Sequence, residues 1–86
     1  QNFPNPFNPT TNIHYSIPRS TFVKITIYDL MGREVARPVN DFQLKGNRSV
    51  KWDAVNNQGG SVAGGIYLYK IQAGDFVKTR KMIFLK

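Results

Sequence analysis

Apolar residues recur at every second position along most of this chain, a period that suits strands and leaves no stretch with the 3.6-residue repeat of a helix. Ile13, Tyr15 and Ile17 alternate with Asn12, His14 and Ser16 until Pro18 ends the run. In FVKITIYD, Val23, Ile25 and Ile27 share one face while Phe22, Lys24, Thr26 and Tyr28 share the other. IYLYKIQ, from residue 66, is rich in β-branched and aromatic residues, and FVKTRKMIFLK reads as a last strand running to residue 86. Alternation puts Ile83 and Leu85 on one side of that strand and Met82 and Phe84 on the other, so only one pair can face a core.

The segments between these runs carry turn chemistry. Asp29-Leu30-Met31-Gly32 has the Asp-first, Gly-fourth preference of a type I turn and is expected to fold REVARPV back as a third strand. Gly46-Asn47, between DFQL and RSVKWD, fits the glycine-led loop of a type II′ hairpin and implies a fourth and a fifth strand. Asn56 to Gly60 reads as a loop, Gly64-Gly65 as a tight bend and Ala73-Gly74-Asp75 as the last turn. Six to seven short strands in a single 86-residue domain predict an all-β fold, an antiparallel immunoglobulin-like β-sandwich. GIYLY is similar to the tyrosine-corner region of such sandwiches, with Tyr67 making the corner and Tyr69 pointing into the core. The antibody pattern is otherwise missing: there is no cysteine, and Trp52 falls on the fourth or fifth strand instead of the third.

Residues 1–11 form a proline-rich lead-in. Pro4, Pro6 and Pro9 each remove a backbone donor and press the preceding residue toward extended geometry, so no helix can start here. In an extended chain Phe3, Asn5 and Phe7 share one side, and both rings are expected to dock on the sandwich and hold a stiff junction against it. PNPFNP holds a single PxxP match, Pro6 to Pro9, without the continued spacing of a partner-binding polyproline helix.

Little in the chain points to catalysis. One histidine, His14, lies on the polar face of the first run, and the acids are Glu34 and four aspartates, three of them at turns or strand ends. DAVNNQG does not follow the alternating ligand pattern of a calcium loop, and Asp53 there is expected to cap backbone groups. There is no G-x-S-x-G elbow and no persuasive carboxylate pair, so an enzyme is not expected, nor any cofactor or metal. Tyr28, Trp52, Tyr67 and Tyr69 raise a second reading, an accessory carbohydrate-binding module if their rings line a face, and a plain structural spacer is a third. The net charge of +7 favours anionic partners such as nucleic acid, lipopolysaccharide or phospholipid. Its scatter along the chain argues against a nucleic-acid stripe, and no nucleic-acid partner is expected.

NFPNPFNPTTNIHYSIP, VKITIYDLMGREV, GNRSVKWDA and GGIYLYKIQAGDFVKTRKMIFLK resemble, in order and spacing, the type A C-terminal sorting domain of type IX secretion substrates. That family is similar in turn to the immunoglobulin-like part of flagellar hook-capping proteins. The resemblance implies residues 12–86 as the sorting domain, attached through the junction residues Phe3, Pro4, Pro6, Phe7 and Pro9 to an N-terminal cargo. It implies export from the periplasm by an outer-membrane translocon in Bacteroidetes-type bacteria. The resemblance further implies a sortase-like peptidase able to remove the module, with the cargo then secreted or linked to lipopolysaccharide at the cell surface. The module itself is expected to be a monomer. The last strand would be the part the translocon reads, through Lys78, Arg80, Lys81, Met82, Phe84 and Lys86, with free backbone groups open to strand addition.

Overall fold

A computed structural model describes all 86 residues. The chain forms seven strands and no helix: β1 (Asn2–Phe3), β2 (Thr11–Ile17), β3 (Thr21–Tyr28), β4 (Glu34–Gln43), β5 (Gly46–Trp52), β6 (Gly65–Ala73) and β7 (Phe76–Phe84). They make a three-stranded sheet in the order β1-β2-β5 and a four-stranded sheet in the order β4-β3-β6-β7, with antiparallel pairing between all named neighbours. The inward residues of both sheets meet in one core, as the alternation requires.

The clearest alternating runs behave as their patterns dictate. Ile13 and Ile17 of β2, and Val23, Ile25 and Ile27 of β3, are buried, while His14 is exposed. Asp29 shapes the turn after β3, its Oδ1 accepting from the Met31 and Arg33 amides and its Oδ2 from Arg33 Nε. Those bonds, the Arg33 amide first, hold its carboxyl below the usual range. The tyrosine corner forms: Tyr67 donates its hydroxyl to the Ala63 carbonyl, four residues upstream, and Tyr69 is fully buried.

Two expectations from turn chemistry give way. REVARPV and DFQL are not separate strands but parts of the single ten-residue β4. Pro38 is accommodated because β4 is an edge strand and Ala36 and Val39 pair with Ile27 and Ile25, so Arg37 and Pro38 together oppose Thr26 in a bulge. Gly46-Asn47 does not close a hairpin either. β5 leaves β4 and pairs with β2 in the other sheet, Gly46 opposite Ile17, so Leu44-Lys45 is a crossover. Gly46 has a φ of +132°, open to glycine, and the Lys45 amide donates to Ser20 Oγ at 3.0 Å beside the crossing.

The lead-in also departs from expectation. Asn2 and Phe3 pair with Ile13 and Asn12 as a short edge strand, and alternation turns Asn2 inward and Phe3 outward. Phe3 is therefore 72% exposed and does not dock. Buried Asn2 is satisfied by the Pro4 carbonyl and Thr11 Oγ1 at 3.2 and 3.1 Å, and Thr11 in turn donates to Pro4. Phe7 alone enters the core. Its ring stacks on Phe84 at 5.3 Å and tilts against Trp52 at 5.8 Å, while Trp52 meets Tyr67 edge-on at 5.6 Å.

Candidate functional site

The last strand is where sequence reasoning placed recognition, and β6 decides how it lies. Tyr67 and Gly65 pair with Met82 and Phe84, which follow the inward tyrosines into the core and are buried. Met82 and Phe84 therefore pack within the core, and their side chains are not presented at the surface of the folded module. Ile83 is half-buried on the opposite face and Leu85 is exposed beyond the strand's end.

The basic cluster divides by the same alternation. Lys78 and Arg80 pair with Ile71 and Tyr69, whose side chains face the core, and both basic residues are exposed on this edge strand. Lys81 points from the outer face, and Lys86 lies past the strand. Four neighbouring charges in sequence thus occupy three separate places.

The strand's free edge is partly taken. The Phe7 amide donates to the Ile83 carbonyl and the Leu85 amide to the Phe7 carbonyl, each at 2.9 Å, making a parallel bridge of Phe7 with Phe84. Asn5 completes this clamp: its Oδ1 accepts from the Ile83 amide at 2.9 Å and its Nδ2 donates to the Lys81 carbonyl at 3.4 Å. The expected open edge is therefore capped over residues 81–85 by the chain's own lead-in. By parity with Ile83, the outward backbone groups of Val77 and Thr79 are left for any strand addition. Sequence inspection missed Asn5, since an asparagine between two prolines carries no sign of a partner 78 residues away.

Other candidate chemistry is accounted for structurally. Asp53 accepts from Thr10 Oγ1 at 3.1 Å and lies 3.9 Å from Lys51, and Asn56 Oδ1 caps the Gln58 and Gly60 amides. No cluster of three metal-ligating side chains forms. The proposed sugar platform is absent because Trp52, Tyr67 and Tyr69 are buried and only Tyr28 is half-exposed. The pKa of Tyr69 is raised, first by burial, and its hydroxyl has no partner.

Residues 1–85 match the family described as the secretion system C-terminal sorting domain. The fold is shared with PorZ, a surface component of the type IX secretion system of Porphyromonas gingivalis, at a TM-score of 0.70 and 21% identity over the whole of this chain. It is shared also with FlgD from P. aeruginosa, at a TM-score of 0.67 and 28% identity over 86% of this chain. The chain spans 11% of PorZ and 58% of that FlgD chain. No curated protein matches the sequence.

Proposed function

The chain belongs to the family of secretion system C-terminal sorting domains, and from that premise we propose that it directs a larger, covalently attached cargo from the periplasm through a type IX outer-membrane translocon. The observation carrying this reading is the family match across residues 1–85, nearly the whole chain. In this reading the module is a non-catalytic address. Its lead-in takes the cargo's tether at residue 1 and locks it to the signal strand through Asn5 and Phe7. Export ends with the cargo secreted or held at the surface, and a sortase-like peptidase acting upstream of the paired segment would separate the two.

Removing Arg80–Lys86 from a full-length cargo tests the proposal. The deletion takes away Met82, Phe84 and the groups that bind the clamp, so the module loses its core and the cargo is expected to remain folded in the periplasm. Changing Lys81 and Lys86 to alanine leaves those contacts in place and is expected to lower export less. Undiminished export after the deletion would exclude the sorting role.

A further inference from the structure

The outer face of the larger sheet has no covering layer in this chain, and it carries an ordered row of charge. Lys24 on β3 lies opposite Gln72, while Lys70 on β6 lies opposite Thr26, which makes the two lysines diagonal neighbours. Lys70 also faces Thr79, and Lys81 on β7 faces Leu68, so Lys70 and Lys81 are diagonal neighbours in turn. Side chains so placed stand about 7–8 Å apart. The three lysines therefore stand at successive positions on one diagonal across three adjacent strands. None takes part in an ion pair; the salt bridges are Arg33–Asp29, Arg37–Glu34 and Lys51–Asp53. Glu34, an acid at the margin, is hydrogen-bonded by Asn57 and Arg37, and the charge of Lys24 adds to theirs in holding its carboxyl below the usual range. Like charges at neighbouring positions repel one another, and Lys70 and Lys81 make no ion pair that would offset this within the module.

Apolar pairs bound the row at both ends. Phe22 and Phe42 face each other across β3 and β4 at 51% and 62% exposure, and Ile66 and Ile83 face each other across β6 and β7. We infer that this face docks an acidic protein surface of the export machinery, with carboxylates meeting Lys24, Lys70 and Lys81 and apolar side chains meeting the two flanking pairs. The inference rests on the sorting reading. Charge complementarity selects the occupant. A bilayer is a poorer fit, because apolar groups must project past the charges to enter lipid. Here the lysine stems stand between two separated apolar ends on a flat sheet.

The test uses a full-length cargo in exporting cells, with Lys24, Lys70 and Lys81 all changed to glutamate or all to arginine. The glutamate form is expected to cut exported cargo about tenfold, while the arginine form, which keeps the charge, stays within about twofold of the parent. Trp52 emission of the purified module reports whether the fold is kept. Should the triple glutamate form not fold, Lys70→Glu alone is expected to reduce export about threefold. Normal export of the folded glutamate form, in cells where the Arg80–Lys86 deletion blocks export, would overturn this face as the docking surface and leave the sorting role standing. Normal export of the deletion as well would remove both. Vesicles containing lipopolysaccharide provide the remaining arm. Retention of the module on them that the glutamate form abolishes, with export unaffected, would make the row a headgroup site and overturn the protein-docking inference.

Discussion

Replacing Phe7 with alanine is expected to destabilise the module by about 3–5 kcal/mol, a large part of what a domain of this size possesses. Phe7 is only 2% exposed and fills the space between Phe84 and Trp52, so truncation removes both ring contacts and leaves a cavity at the end of the core. It also removes the anchor that holds the lead-in backbone in register with Ile83 and Leu85. A fall in Tm on the order of 12–40 °C is the expected reading from thermal unfolding followed by circular dichroism. Phe3→Ala is the built-in control. That ring is 72% exposed, and its loss should change stability by no more than about 0.5 kcal/mol. Equal effects at the two positions would refute the assignment of Phe7 as the single anchor.

Trp52→Ala is expected to cost a similar amount, about 3–5 kcal/mol, by a different route. Trp52 ends β5 on the smaller sheet, touches Phe7 from the lead-in and Tyr67 from the larger sheet, and donates Nε1–H to the Val55 carbonyl at 2.8 Å. It therefore joins three parts of the chain that are distant in sequence. Truncation opens the contact between sheets and leaves the Val55 carbonyl without its donor. In the parent chain its emission should be blue-shifted, because it is 3% exposed, and should move to the red as denaturant unfolds the domain. Red-shifted emission from the folded chain, or a stability loss below about 1 kcal/mol in the alanine variant, would contradict its place in the core.

What could be read from the sequence was whatever a two-residue period controls. The inward faces of β2, β3 and β6, the tyrosine corner at Tyr67 and the division of Met82 and Phe84 from Ile83 and Leu85 all follow from alternation. The same rule separates Lys81 from Lys78 and Arg80, so the apparent basic cluster was legible as two faces once the strand was recognised. Topology was not legible. Gly46 signals that the backbone bends, but a glycine with positive φ serves a crossover as well as a hairpin, and only the partner of β5 distinguishes them. REVARPV and DFQL looked like two strands because the bulge that carries β4 past Pro38 depends on pairing with β3. Phe3 and Phe7 looked equivalent because nothing local shows that Asn2 takes the inward position and that the chain bends between the two rings.

The central claim, that this module is an address sufficient for export, is tested most directly by transplanting it. Residues 1–86 joined to the carboxyl end of a reporter that already reaches the periplasm should carry that reporter to the surface or medium of cells possessing a type IX translocon. In an otherwise identical strain lacking the translocon, the reporter should stay in the periplasm. The quantity to measure is the fraction of reporter outside the cell in the two strains, with the unfused reporter as baseline. The account predicts a high fraction only in the strain with the translocon; a fused reporter that stays in the periplasm of both strains while the module is folded would contradict it.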